Sequence, residues 1–135
     1  MTPGRVFVGI AIACGVAAGA VLIQKAPASA AEKRNPLEAD GRAPRAGAKL
    51  YAYRCASCHG RNREGRGNAP PLDRRDVRQA APGTLLWVLR NGSLHNGMPS
   101  FAHLPEAQLW QIVTYLQNPP GSQADQPPNA SSSSR

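Results

Sequence analysis

The chain has 135 residues, and its 16 lysines and arginines against 8 aspartates and glutamates give a formal net charge of +8. This length accommodates one small domain with a limited apolar core of its own. Of the three cysteines, Cys14 lies in an N-terminal apolar segment, so the rest of the chain holds only Cys55 and Cys58. A fold held together by several disulfides is therefore excluded.

The N-terminal segment, residues 1–30, has the features of an export signal. Arg5 precedes an uncharged apolar run of 18 residues (6–23), and a small-x-small cleavage pattern ends at Ala30. We favour cleavage after Ala30, but 18 apolar residues are also just long enough to remain as a membrane anchor. Either way we expect a periplasmic location, free or tethered to the inner membrane. Nucleic-acid binding is a poor explanation of the positive charge for an exported domain.

Composition divides the rest of the chain into three parts. Residues 31–43 are polar and predicted to form a linker, and residues 44–118 carry the helical patterns and form the domain. Residues 119–135 are rich in Pro, Ser, Gln and Asn and predicted to be a disordered tail.

The first predicted helix, approximately residues 46–57, runs into the sequence Cys55-Ala56-Ser57-Cys58-His59. C-x-x-C-H is the spacing at which haem c is covalently attached. Within one helical turn both sulphur atoms lie on the same side, where Cys55 and Cys58 can form thioether bonds, and His59 follows as an axial iron ligand. Redox dithiols and half zinc sites share C-x-x-C. The following His59 favours haem, since the sequence has no second Cys or His pair of zinc-site spacing.

The loop after this motif is rich in arginine. A basic rim near the haem would steer docking to an acidic surface on a redox partner. The alternatives are a merely solvated loop or attraction to anionic lipid. Residues 61–78 contain three acidic residues and six arginines, namely Arg61, Arg63, Arg66, Arg74, Arg75 and Arg78.

Two further helices are predicted, at residues 84–91 and 105–117, and no sheet. The last helix has the clearest pattern, with Leu109, Ile112, Val113 and Leu116 at i, i+3, i+4 and i+7.

Apart from Met1, Met98 is the only methionine, and it lies between Gly97 and Pro99 in the loop that joins these helices. This loop favours Met98 as the second axial ligand. A core methionine that fills a gap is the alternative, and His95 and His103 are the competing ligands.

Several of these segments together resemble a class I c-type cytochrome of the small, exported bacterial type that carries one haem. The resemblance rests on Gly47-Ala48-Lys49-Leu50-Tyr51, Cys55-x-x-Cys58-His59-Gly60, Ala69-Pro70-Pro71-Leu72, Gly97-Met98-Pro99 and the terminal helix. It implies an all-α cytochrome c fold with three main helices wrapped around one covalent haem c.

The resemblance also implies the roles of individual residues. It implies thioether links at Cys55 and Cys58 and axial ligation by His59 and Met98. The Pro70 carbonyl would accept a hydrogen bond from His59, and Leu72 would contact the haem. Gly47 and Tyr51 would cross Tyr115 and Leu116 on the last helix. Trp87, Trp110, Arg74, Arg75 and Arg90 are candidate propionate partners, although each tryptophan is better explained as a core residue.

The implied function is electron transport and not enzymatic catalysis. Single electrons would pass from a quinol- or dehydrogenase-side donor to an oxidase or reductase acceptor of a respiratory chain. One alternative is a haem subunit that stays bound to a dehydrogenase or oxidase. The other is a haem peroxidase or gas sensor in which Met98 is labile. Because the domain is small, haem would supply much of its core, and we expect the apoprotein to be largely unfolded.

Overall fold

The computed structural model describes Ile23 and residues 25–121, and these residues form helices and loops without a β-strand. The two isolated β-bridges, Arg66–Ala69 and Ser93–Met98, each close a tight loop. In chain order the helices are α1 (Ala28–Ala31), α2 (Ala43–Arg54), α3 (Ala56–His59), α4 (Arg75–Gln79), α5 (Pro82–Asn91), a 3-10 turn (Leu94–Asn96) and α6 (Glu106–Gln117). None of the helices within the described part of the chain is both long enough and apolar enough to span a membrane.

Helices α2 and α6 make the most extensive contact between helices and cross at Gly47. A Cβ atom at Gly47 would overlap the carbonyl oxygen of Gln111 and lie 2.7 Å from Cβ of Tyr115, so only glycine permits this approach. One turn later the rings of Tyr51 and Tyr115 lie 5.1 Å apart. The predicted crossing of the first and last helices is therefore present.

The apolar pattern of α6 is confirmed by burial. Leu109, Ile112 and Val113 have no exposed surface, and Leu116 is also buried. Each such side chain contributes roughly 1.5–3 kcal/mol by leaving water.

The structure changes the bounds of the first two predicted helices. The first begins at Ala43, because Pro44 suits a first turn, and is interrupted at Cys55, where α3 starts. The second begins at Pro82, for the same reason, and ends at Gly92, which has a φ of +63°. Helix α4 was missed because five residues with one buried side chain, Val77, leave no periodic pattern.

The polar segment before the domain lies against α5 and α6. Asn35 is buried and donates from Nδ2 to Oγ1 of Thr114 at 2.8 Å. Lys33 pairs with Glu106 at 2.7 Å and lies over the ring of Trp110. This hydrogen bond from Lys33 is the main reason that the pKa of Glu106 is lowered. Residues 33–35 are thus fixed on the helices by specific polar contacts. Most of the predicted export signal lies outside the described residues, although Ile23 and residues 25–30 are described, and the predicted tail lies outside them beyond residue 121.

The crossing at Gly47 can be tested by adding one methyl group. We expect Gly47→Ala to destabilise the protein by about 1–3 kcal/mol or more, because the new Cβ overlaps the backbone of α6. Thermal or denaturant unfolding followed by far-UV circular dichroism measures the loss. Gly41→Ala is the matched control, since nothing lies within 4 Å of its Cβ position. Equal stability of the two variants would show that α2 and α6 do not meet as described.

Candidate haem site

The C-x-x-C-H segment folds as a single short turn. The backbone N–H groups of Cys58 and His59 both donate to the carbonyl of Cys55, at 3.1 and 2.9 Å. The turn ends at Gly60, whose carbonyl accepts a 2.8 Å hydrogen bond from the hydroxyl of Tyr51. Burial raises the pKa of Tyr51, so this phenol stays protonated and can donate. Helix α2 and its Tyr51 therefore hold the turn in place.

The two cysteines differ in exposure. Cys55 is buried, Cys58 is exposed, and neither is in a disulfide. Burial, with a smaller effect of neighbouring Cys58, raises the pKa of Cys55 to about 11. Within the described range no three His, Cys, Asp or Glu side chains are close enough to hold a metal ion.

His59 is buried, and its Nδ1 lies 2.9 Å from the carbonyl oxygen of Pro70. A carbonyl can only accept, so Nδ1 carries the proton and Nε2 keeps its lone pair for a metal. Several backbone hydrogen bonds hold the loop that carries Pro70, and two of them are short. Gly65 N–H donates to the carbonyl of His59 at 2.7 Å, and Leu72 N–H donates to the carbonyl of Arg63 at 2.7 Å.

Met98 lies in a tight loop between α5 and α6. Ser93 and Met98 exchange two backbone hydrogen bonds, at 2.8 and 3.0 Å, around the 3-10 turn. A Cβ atom at Gly92 would lie 2.6 Å from the carbonyl carbon of Pro99, so the two sides of this loop meet closely. The Met98 side chain is half-buried and packs at the edge of the core.

One large cleft of about 1550 Å³ brings the predicted site residues together. Cys55, Cys58, His59, Pro70, Leu72 and Met98 all line it. Its other walls are mainly apolar and include Val77, Leu85, Leu89, Ile112 and Leu116. The cleft exceeds the roughly 300–1,000 Å³ of ordinary small-molecule sites. A large apolar ring with two sulphur attachments and a nitrogen ligand fits it.

The competing residues are placed differently. His95 is exposed but also lines the cleft, whereas His103 is exposed and does not line it. Neither tryptophan lines it, and Trp110 is buried with its Nε1 donating to Glu106. Arg74 and Arg90 form ion pairs with Asp76 and Glu106, both at 3.1 Å.

The six arginines of residues 61–78 do not form one surface. Only Arg66 lines the cleft, while Arg78 lines a separate polar cleft beside Glu38 and Gln117. Arg63 has buried nitrogen atoms and stacks on Tyr115. Sequence reasoning missed Tyr53, Arg54 and Leu94, which also line the cleft. Tyr53 and Leu94 are 79% and 81% exposed. The sequence could have indicated them as large apolar residues that lie next to the C-x-x-C-H motif and to Met98.

Comparison with known proteins agrees with this geometry. The family described as cytochrome c oxidase, cbb3-type, subunit III matches residues 42–116, more than half of the chain, and the chain belongs to that family. The fold is similar to the crystal structure of cytochrome cL from the marine methylotrophic bacterium Methylophaga aminisulfidivorans, with a TM-score of 0.53 and 24% identity. That match covers 62% of this chain and 57% of cytochrome cL, so the chain spans little more than half the length of that relative. Comparison with curated protein sequences gives no significant match.

The predictions of a class I c-type cytochrome and an all-α cytochrome c fold are therefore confirmed. The domain is an electron-transfer domain and not an enzyme, and its family implies covalently bound haem c.

Proposed function

We propose that this protein is a monohaem electron carrier in which Cys55 and Cys58 bind the haem covalently and His59 and Met98 ligate its iron. The observation that carries the proposal is the single cleft lined by all four side chains. Haem c, when bound, supplies an iron that accepts and releases one electron.

The chain's own residues account for what such a site needs. The turn of α3 fixes His59, and the carbonyl of Pro70 would orient its ring and strengthen it as a ligand. The hydrogen-bonded loop around Met98 presents a thioether on a constrained backbone. If His59 and Met98 both ligate the iron, no position is left for peroxide or gas, as a carrier requires and a peroxidase or sensor does not. The apolar walls of the cleft would keep water from much of the ring.

We further propose that the domain comprises residues 44–118, works outside the cytoplasm after export by residues 1–30, and exchanges electrons with other redox proteins. The site residues are compatible with a free carrier and with a subunit of a larger complex. The family description, subunit III of a cbb3-type oxidase, favours the subunit as a second candidate. If the chain co-purifies with an oxidase, it is a subunit of that complex. If it purifies without a partner protein, it is a free carrier.

The cleft rim suggests how partners dock. We define the cleft rim as Tyr53, Arg54, Arg66, Leu94 and His95. Two of these are cationic, and no Asp or Glu is among the described residues that line the cleft. Arg54 also lies over the ring of Tyr53, 4.9 Å from its centroid. An acidic surface with an apolar centre on the partner would complement this rim.

Covalent attachment is the first test. In the full chain produced with haem-attachment machinery, haem should stay with the polypeptide after acid–acetone extraction, because thioether bonds survive denaturation. Cys58→Ala should sharply reduce the yield of holoprotein, measured by Soret absorbance and intact mass. Ser57→Ala, one residue away in the same turn, should retain full yield. Haem that is extracted from the wild-type chain, or a bound zinc ion, contradicts the proposal.

Ligation by Met98 is the second test. The oxidised protein should show the weak near-infrared sulphur-to-iron charge-transfer band, and Met98→Ala should lose it, bind CO and have a lower reduction potential. His95→Ala and His103→Ala are the controls and should keep the band. A wild-type ferrous protein that binds CO readily would instead support the sensor or peroxidase alternative.

The third test concerns the cleft rim. Arg63 is unsuitable for charge reversal because its side chain is partly buried, so we choose Arg54 and Arg66. Reduction of ferricyanide, a trianion, should slow with rising ionic strength. At low salt Arg54→Glu/Arg66→Glu should slow it further by roughly tenfold.

The control for this test is Arg45→Glu/Arg75→Glu, which changes the net charge equally at exposed positions outside the cleft. Stopped-flow rates that fall equally in the two double variants would assign the effect to total charge and not to the rim.

A further inference from the structure

Arg63 has a backbone conformation that is unusual for its residue type. Its φ is +66°, and it is the only non-glycine residue with a positive φ in the described part of the chain. Its loop neighbours Gly60, Gly65 and Gly67 also have positive φ, and for them the conformation carries no steric penalty. A non-glycine residue in this conformation has a higher conformational energy. We therefore expect the Arg63 side chain to make contacts that offset this energy.

The Arg63 side chain lies against α6 and not in the haem cleft. Its Cζ is 5.3 Å from the centroid of the Tyr115 ring, within the range of a cation–π interaction. Its Nε and Nη1 atoms are buried and have no hydrogen-bond partner in the structure. Arg63 is absent from the residues that line the cleft, so it is not placed to bind a propionate. The cation–π contact with Tyr115 is therefore the main interaction of the Arg63 guanidinium.

The Arg63 backbone connects the end of the turn that carries His59 with the segment that follows Pro70. Its N–H donates to the carbonyl of Gly60 at 3.3 Å. Its carbonyl accepts from Leu72 N–H at 2.7 Å and from Asp73 N–H at 3.3 Å. Between these contacts lies Pro70, whose carbonyl is 2.9 Å from Nδ1 of His59. A shift of Arg63 would move the Pro70 carbonyl relative to the His59 ring.

We infer that Arg63 is a positioning residue: its guanidinium, held on Tyr115, fixes the loop so that the Pro70 carbonyl stays hydrogen-bonded to His59. This inference rests on the proposed function, in which His59 ligates the iron. An imidazole that donates from Nδ1 to a carbonyl is a stronger ligand, and a stronger ligand favours the ferric state. Loss of the Arg63 side chain should therefore raise the reduction potential.

The direction of this change separates positioning from simple electrostatics. Removing a positive charge near the haem stabilises the ferric state and lowers the potential, the opposite of the effect expected from a weakened Pro70–His59 hydrogen bond. Arg63→Gly is the most informative variant, because glycine adopts the left-handed backbone without strain, so that loss of the side chain is not combined with added backbone strain. Arg61→Gly is the matched control, since Arg61 is exposed in the same loop.

The experiment measures the reduction potential of the full-chain holoproteins by spectroelectrochemistry and the hydrogen–deuterium exchange of the His59 Nδ1 proton by NMR. We expect Arg63→Gly to shift the ferric–ferrous equilibrium towards ferrous by roughly threefold to tenfold, where tenfold is about 59 mV for one electron. The Nδ1 proton should exchange faster. Arg63→Lys, which keeps a cation near Tyr115, should recover part of both changes, and Arg61→Gly should show neither.

An Arg63→Gly potential that is unchanged or lowered, with Nδ1 exchange as slow as in the wild type, would overturn the inference. If that variant does not accumulate as holoprotein, Arg63→Gln removes the charge with a smaller loss of side-chain volume and decides by the same two measurements. Failure of the proposed function shows instead in the wild-type protein, as extractable haem or a high-spin spectrum, and so is distinguishable from failure of this inference.

Discussion

The close approach of α2 and α6 at Gly47 is the contact on which the other features depend. Because no side chain separates the helices at Gly47, the ring of Tyr51 contacts the ring of Tyr115. The hydroxyl of Tyr51 then donates to the carbonyl of Gly60. That hydrogen bond fixes the end of α3, which carries Cys58 and His59. The placement of His59 is thus a consequence of helix packing, because Tyr51 lies on α2 one turn after Gly47 and contacts the end of the motif.

Helix α6 influences the site a second time through the loop after His59. Tyr115 contacts Tyr51 through the aromatic pair and Arg63 through the cation–π contact. Arg63 in turn holds Leu72 next to Pro70 by a backbone hydrogen bond. One residue of the terminal helix therefore supports both the turn that carries His59 and the loop that orients it. Tyr115 and Arg63 themselves do not line the haem cleft, although Tyr51, Pro70 and Leu72 do.

The sequence predicted those features that depend on short, local patterns. The helical period located α6, and the C-x-x-C-H spacing located the turn of α3, because each involves residues within one or two helical turns. It did not predict α4, which is too short to have a period. It also did not predict that Asn35 is buried against Thr114, because this contact joins residues 79 positions apart. Polar composition indicates solvent exposure on average, but a polar side chain with a matching partner can be buried.

The arginines of residues 61–78 illustrate the same limit for function. Counting charges along the chain predicted one basic surface, but the loop folds back on itself and its side chains take different directions. Arg74 is paired, Arg63 is stacked on Tyr115, and only Arg66 reaches the cleft. The surface that we propose for docking is instead the cleft rim, which three separate segments bring together. Net charge predicts attraction over long distances, but the fold decides where that attraction acts.

The apolar core and the cofactor cleft of this domain share several side chains. Val77, Leu85, Leu89, Ile112 and Leu116 belong to the buried apolar cluster and also line the cleft. A ring bound in the cleft would therefore complete the packing of these side chains and remove their apolar surface from water. Burial of apolar surface stabilises a fold by roughly 25 cal/mol per Å². We therefore expect haem binding and folding to be coupled, and a substitution in this cluster to affect stability and reduction potential together.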